Sequence, residues 1–359
     1  MSTPRSLDLP DLVRSVTMHT RRGSFAALQS RPASGVCERR PAILVPGYTG
    51  SKEDFIPVLR PLASASRIVT AIDMRGQYQS AAAASGDGYT PDELAADICA
   101  LADEVAPDDD GVHLLGHSLG GLIARHAVLS GASRIGSLAL LGSGPGCITG
   151  RRQEALRSML DLLGIAERGI ADTGRAAGAA SAADTIALQS WAQQLWEEHI
   201  GPQVRAEGLA EHIIAFLRER HLGNCPAGLV VMGNFLLSCP DRTAELARLN
   251  GPPILVIYGE NDDAWPPKVQ DRMGRRLRAQ RVCIPAAAHS PAIEAPETTA
   301  STLTSFWNTA EQTSRRRRRS TAGAARSAAA QSSAAQSSAA QSSAIRPALA
   351  DRPASPPDA

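Results

Sequence analysis

A serine lies between glycines in the segment Gly116-His117-Ser118-Leu119-Gly120, which has the pattern G-x-S-x-G. The apolar run 112–115 precedes this segment, and an amphipathic stretch, 121–130, follows it. A sharp turn between a strand and a helix has no room for bulky neighbours, and it raises the serine Oγ above the edge of a sheet. The first N–H groups of the helix point to the same place and favour an anion there. The pattern predicts a nucleophile at Ser118, but it is short enough to arise by chance.

A nucleophilic serine needs a base, an acid that orients the base, and hydrogen-bond donors for an oxyanion. Two downstream segments contain the first two groups, and each follows an apolar run typical of a strand. Carboxylates lie in the segment 258–266, and His289 lies in the segment 285–291. Open α/β sheets bind ligands at the carboxyl ends of their strands, so both segments should reach the same edge as Ser118. The order serine, acid, histidine along the chain is the one expected when the serine lies in a G-x-S-x-G turn between a strand and a helix.

Strand and helix patterns alternate through the first 144 residues and return after residue 250. Short, fully apolar runs are typical of buried parallel strands, and the amphipathic stretches between them predict helices. The repeated β-α-β order implies a mostly parallel central sheet with helices on both faces. The predicted strands are 15–19 and 24–28 in an opening hairpin, then 42–45, 68–72, 112–115, 137–141, 253–258 and 281–284, and the predicted helices of this core are 53–64, 92–105, 119–130, 267–279 and 296–312.

Helical periodicity replaces the strand pattern between residues 145 and 250, and this segment is too long for a connecting loop. We therefore predict an α/β core, 1–144 and 251–314, with a helical cap inserted at 145–250. Residues 315–359 contain five consecutive arginines, Arg315 to Arg319, and an Ala/Gln/Ser repeat. Few large apolar residues occur there, so we expect a disordered tail. Its arginines could touch nucleic acid or an acidic surface, but a solvated extension is the stronger interpretation.

Composition limits the possible partners. The formal net charge is +1, and the residues before the arginine-rich tail are mildly acidic, which gives no reason to expect nucleic acid as the main partner. The six cysteines are scattered without metal-ligand spacing, as in a reducing compartment. The sequence shows no signal peptide and no transmembrane stretch. We expect a cytoplasmic protein with a small-molecule substrate and no metal or organic cofactor.

The motifs together resemble the α/β-hydrolase superfamily, in the branch with a serine nucleophile and a helical cap. The resemblance covers about Val16 to Thr313. It rests on the serine motif, on G-x-x-D-x-x-x-P from Gly259 to Pro266, on His289-Ser290-Pro291, and on the turn Asp73-Met74-Arg75-Gly76, which is similar to the D-x-R-G turn of the family.

This resemblance implies a role for each member of the site. Ser118 is the implied nucleophile, and His289 is the implied general base and then general acid. Asp262 is the implied orienting carboxylate because of its G-x-x-D spacing, and its neighbour Asp263 stays open as an alternative.

The implied oxyanion hole consists of two backbone N–H groups, those of Tyr48 and of Leu119. The chain has Pro46 where the family commonly has histidine, which leaves these main-chain donors intact. It also has Gln77-Tyr78-Gln79 where the family more often has His-Gly-x, a departure that could alter the pocket wall.

For other aromatic residues the sequence predicts a role in the site less strongly. Trp191 and Trp196 could line an acyl pocket, although packing within the cap is the better expectation, and Trp265 should lie at the rim of the site. His117 is expected either to shape the pocket or to be an ordinary buried histidine.

The sequence thus predicts a serine hydrolase that cleaves an ester, thioester or amide of a small to medium apolar acid through an acyl-enzyme. Three alternatives use the same fold: an acyltransferase, a carbon–carbon bond hydrolase, and a ligand receptor without turnover. The cap decides the substrate, and no motif identifies its pocket residues.

Overall fold

Eight strands form one sheet in the computed structural model, which describes residues 2–35, 37–106, 111–171, 190 and 192–316. Of the described residues, 2–310 belong to one compact unit and 311–316 belong to a second. The strands are β1 Val13–Thr20, β2 Gly23–Ser30, β3 Ala42–Val45, β4 Val69–Ile72, β5 Val112–His117, β6 Ile135–Leu141, β7 Ile254–Gly259 and β8 Gln280–Ile284.

The order of the strands in the sheet is β1-β2-β4-β3-β5-β6-β7-β8. β1 and β2 form the predicted hairpin, and β2 pairs with β4 antiparallel. All pairs from β4 to β8 are parallel, so the predicted, mostly parallel sheet is confirmed. The carboxyl ends of β3, β5, β6, β7 and β8 therefore meet at one edge, where ligands of such sheets bind.

Helices cover both faces of the sheet, because alternate strand residues point to opposite sides. Ile43 and Val45 of β3 belong to one apolar cluster, whereas Ala42 and Leu44 belong to the other. The helices are α1 Ile56–Ala63, α2 Pro91–Val105, α3 Leu119–Leu129, α4 Arg151–Ala171, α5 Gly201–Ala206, α6 Glu211–Gly223, α7 Pro226–Ser238, α8 Thr243–Arg248, α9 Pro267–Arg276, α10 Pro291–Glu294 and α11, residues 296–316.

Some helix boundaries differ from the sequence-based expectation. The helix predicted at 53–64 begins as a 3₁₀ turn, Lys52–Phe55, before α1. α9 ends at Arg276 and not at residue 279, because Arg278 adopts a φ of +53° and the Ala279 N–H turns back to the Gly274 carbonyl. None of these differences moves a strand end away from the site.

The helices in the described residues of the segment predicted as a cap are α4 to α8, the helical residues 192–195 and a π-helical turn, Trp196–Ile200. Its boundaries as a separate domain stay a prediction. Trp191 and the tail from residue 317 onward lie outside the described residues. No described helix is long and apolar enough to cross a membrane.

Two buried ion pairs hold the loops at the carboxyl edge. Lys52 Nζ lies 2.8 Å from Asp73 Oδ2, and this pair joins the loop after β3 to the turn after β4. Arg220 of α6 donates to Asp54 Oδ1 at 2.8 Å and to the backbone carbonyl of Ser2 at 2.6 Å. Burial raises the pKa of Asp54, and the Arg220 charge opposes that rise. Where the chain leaves the sheet, these two hydrogen-bonded ion pairs therefore hold the loops in place of apolar packing.

The variant Lys52→Met should lower the free energy of unfolding by about 3 kcal/mol at pH 8, because it leaves a buried carboxylate without its cation. Burial already raises the pKa of Asp73 to about 6, above its value in an unfolded chain. Loss of Lys52 raises it further, and a neutral Asp73 needs no counter-charge, so the deficit should shrink at pH 5. Urea unfolding at both pH values measures this change.

The control is Arg21→Ala, which breaks the exposed ion pair with Asp103 and should change stability by less than about 0.5 kcal/mol. Equal effects of the two substitutions, or a larger Lys52→Met deficit at pH 5, would contradict the prediction.

Candidate active site

Ser118 lies on a strained turn between β5 and α3. Its φ of +53° and ψ of −119° are values that side-chain-bearing residues rarely adopt. The turn is fixed by a hydrogen bond from the Ser118 N–H to the Leu141 carbonyl at 2.9 Å. A Cβ on Gly116 would collide with the Gly120 carbonyl, and a Cβ on Gly120 would collide with the Pro46 carbonyl. Close backbone approach thus explains both glycines of the G-x-S-x-G pattern.

His289 joins Ser118 to Asp262 in a continuous hydrogen-bonded chain. His289 Nε2 lies 3.0 Å from Ser118 Oγ, and His289 Nδ1 lies 3.0 Å from Asp262 Oδ1. A carboxylate only accepts, so it selects the tautomer with hydrogen on Nδ1 and leaves the Nε2 lone pair facing the serine hydroxyl. All three residues are at most 7% exposed. This arrangement can remove a proton from Ser118.

Three further hydrogen bonds hold the Asp262 carboxylate in place. Oδ1 accepts from the N–H groups of Ala264 and Trp265 at 2.9 and 3.3 Å, and Oδ2 accepts from Gln270 Nε2 at 2.8 Å. Burial alone would raise the pKa of Asp262, but His289, the Ala264 N–H and Gln270 outweigh it and keep that pKa below its ordinary value. The carboxylate therefore stays charged and can stabilise a protonated imidazole.

The neighbouring carboxylate, Asp263, points elsewhere. Its Oδ1 accepts from Arg152 Nε at 2.7 Å, and its side chain is 58% exposed. Of the two candidates for the orienting acid, the structure brings only Asp262 to His289.

His117 and Trp265 both lie beside His289. His117 Nε2 lies 2.8 Å from the backbone carbonyl of His289 and donates to it. Burial and the nearby His289 lower the pKa of His117 to about 3, so it acts as a neutral donor near neutral pH. The Trp265 ring centroid lies 6.1 Å from that of His289, and its Nε1 donates to the Gly146 carbonyl at 3.0 Å.

The loop after β3 lies directly beside the serine. A Cβ on Gly47 would stand 3.1 Å from Ser118 Cβ. Among the described residues, no group accepts a hydrogen bond from the backbone N–H of Tyr48 or of Leu119. Free N–H donors beside a buried hydroxyl are uncommon, because buried backbone groups are normally paired. Both predicted oxyanion donors therefore have an unused hydrogen.

Helices from the segment between β6 and β7 cover this loop. Tyr48 Oη donates to the Leu229 carbonyl of α7 at 2.8 Å, and burial raises the pKa of this phenol. Leu160 of α4 and Gly233 of α7 lie against each other near the same hydroxyl. Trp196 of the same segment packs with Val204, Phe216 and Leu217 in an apolar cluster.

Two residues that hold the site could not be assigned from the sequence. Gln270 lies in the first turn of α9, and nothing in the local sequence marks its contact with Asp262. The sequence leaves His117 as either a pocket residue or an ordinary buried one, and its bond to the His289 carbonyl links two positions 172 residues apart. No cluster of three or more His, Cys, Asp or Glu side chains in the described part of the chain could hold a metal ion.

The alpha/beta hydrolase family model matches residues 42–302, which are most of the chain. The chain therefore belongs to the alpha/beta hydrolase family, and the predicted superfamily and fold class are confirmed.

Individual curated relatives match only part of the chain. A protein named as the carbamate hydrolase RutD of Variovorax paradoxus is 33% identical over 132 residues, which are 36% of this chain and 48% of that protein. The dihydrolipoyllysine-residue acetyltransferase component of the acetoin cleaving system of Pseudomonas putida is 33% identical over 103 residues, which are 29% of this chain and 26% of that protein. The chain thus spans less than half the length of these two curated relatives.

Solved structures share the fold. An esterase of Exiguobacterium antarcticum is 18% identical with a TM-score of 0.59, and the match covers 82% of this chain and all of the esterase. Identity at this level shows a common fold.

The variant Gly116→Ala should be less stable by at least about 2 kcal/mol, because its Cβ would meet the backbone of Gly120 and not a side chain that can move away. Gly86→Ala is a matched control, since its Cβ would lie 3.7 Å from Val231 Cγ2 in ordinary contact. Urea unfolding measures both. A Gly116→Ala protein as stable as Gly86→Ala would show that the turn can open without cost.

Proposed function

We propose that this protein is a serine hydrolase that cleaves an ester, thioester or amide of a small to medium apolar acid through an acyl-enzyme. One observation carries the proposal: His289 lies within hydrogen-bond distance of both Ser118 Oγ and the Asp262 carboxylate. Membership of the alpha/beta hydrolase family supports it.

In the proposed reaction, His289 Nε2 takes the proton of Ser118 as Oγ attacks the carbonyl carbon. The carbonyl π electrons move to the oxygen, and the N–H groups of Tyr48 and Leu119 stabilise the oxyanion. The intermediate collapses, and the leaving group departs with the proton from His289. Water, deprotonated by His289, then attacks the acyl-enzyme, and Ser118 recovers its proton as the acid leaves.

The apolar surroundings favour an apolar acyl group. Leu119 belongs to the same buried cluster as Leu160 of α4 and as Leu229 and Met232 of α7. The loop that carries Tyr48 lies under these helices. An acyl chain packed against apolar side chains is removed from water, which is worth about 0.8 kcal/mol for each buried methylene.

Acyl transfer is a second candidate, because one sequence relative is an acetyltransferase component. The first half of the reaction would be the same, and an alcohol or thiol would replace water in the second half. Product analysis with competing alcohols separates the two reactions: an acyltransferase yields mostly the new ester even at high water activity.

Ser118→Ala should lose on the order of 10⁶ in kcat on p-nitrophenyl esters of graded acyl length, because no nucleophile remains. It should also fail to react with a fluorophosphonate probe that labels the wild type. Ser143→Ala is the control: this serine is also buried, in the segment after β6, and its hydroxyl has no hydrogen-bond partner in the described residues. Equal labelling of Ser118→Ala and wild type would refute a serine nucleophile.

Asp262→Asn should lower kcat by about 10⁴, because an amide at this position favours the wrong histidine tautomer and cannot stabilise the imidazolium. Asp263→Asn is the matched control, since its carboxylate is exposed and paired with Arg152, and it should change kcat by less than about threefold. Steady-state kinetics on the best ester measures both. A larger loss from Asp263→Asn would reverse the assignment of the acid.

A further inference from the structure

Gln77 lies in the turn after β4 and is completely buried. Its side-chain amide is bound at both ends: Oε1 accepts from the Met74 N–H at 3.1 Å, and Nε2 donates to the Gly47 carbonyl at 2.9 Å. One backbone partner can only donate and the other can only accept, so the orientation of the amide is fixed.

The Gly47 carbonyl and the Tyr48 N–H belong to one peptide unit. In a planar trans peptide these two groups point in opposite directions. A bond that draws the Gly47 oxygen toward Gln77 therefore directs the Tyr48 N–H away from Gln77. Gly47 itself lies against Ser118, so this peptide stands at the edge of the site.

We propose that Gln77 is a positioning residue that keeps the Tyr48 N–H aimed at the developing oxyanion. The inference rests on the proposed acyl-enzyme function. A donor that is already aligned needs no reorganisation when charge develops, and this alignment accounts for much of the stabilisation that an oxyanion hole gives. Gln77 acts through the peptide and does not touch the substrate.

The Gly47 oxygen would keep a hydrogen-bond partner without Gln77. It also accepts from the Gly50 N–H at 3.2 Å. The turn that carries Gln77 is held separately, by the Lys52–Asp73 pair and by Ser80 Oγ, which donates to the Asp73 carbonyl at 2.8 Å. Removal of the Gln77 amide should therefore leave both loops in place but allow the Gly47–Tyr48 peptide to rotate.

The test compares p-nitrophenyl butyrate with its thiono analogue in wild type, Gln77→Met and Gln77→Leu. Methionine has a similar length without the amide, leucine is a shorter apolar side chain, and neither can donate to the Gly47 carbonyl. We expect kcat on the ester to fall by about 10- to 100-fold with KM within about threefold, since loss of a whole oxyanion donor costs about 10² to 10³. A thiocarbonyl is a weak hydrogen-bond acceptor, so the ratio of ester to thionoester rates should fall by a similar factor.

Ser80→Ala is the control for a purely structural effect. It removes bonds that hold the same turn without touching Gly47, so it should lower the midpoint of urea unfolding and leave the rate ratio unchanged. A wild-type rate ratio in folded Gln77→Met or Gln77→Leu overturns the inference, even if kcat falls. If one variant does not fold, the other decides the result.

The experiments distinguish a failure of the proposed function from a failure of the role of Gln77. Ester turnover that survives Ser118→Ala overturns the serine mechanism and the role of Gln77 with it. Turnover that depends on Ser118 but keeps its rate ratio in both Gln77 variants overturns only the role of Gln77.

Discussion

The contact between the backbones of Gly116 and Gly120 sets the path of the chain through the site. It lets the start of α3 lie against the end of β5, with Ser118 on the turn between them. The same closeness brings Gly120 against the carbonyls of Val45 and Pro46, so the loop after β3 reaches the turn as well. The position of the Ser118 turn beside the loop after β3 is thus a result of close backbone packing.

The carboxyl edge of the sheet is held together differently from its faces. On the faces, alternating apolar residues of the strands meet the helices, and area removed from water supplies the stability. The loops at the edge have neither the hydrogen bonds between strands nor an apolar face. Buried polar side chains join them in pairs: Lys52 to Asp73, Gln77 to the Gly47 carbonyl, and Gln270 to Asp262. Such bonds fix direction as well as distance, which a catalytic arrangement requires.

Much of this architecture could be predicted because its causes are local. Apolar runs predicted the strands, and the order of Ser118, an acid and His289 predicted that they would share an edge. The spacing from Gly259 favoured Asp262 over Asp263, in agreement with the hydrogen bond to His289. The contacts of Gln77 and Gln270 could not be predicted, because a buried amide partner has no sequence period. The end of α9 was also missed, since nothing in Arg278 favours a positive φ.

Arg220 ties the helices between β6 and β7 to the α/β core by a buried ion pair. Its guanidinium, on α6, lies between the carboxylate of Asp54, next to α1, and the backbone of Ser2. Exchange of the inserted helices for another set would leave the Asp54 charge buried with no cation, at a cost of several kcal/mol. The helices between β6 and β7 therefore cannot be replaced without a change that satisfies Asp54. Any new set of helices with a different substrate preference would have to supply a cation at the same point, or arise together with a neutral residue in place of Asp54.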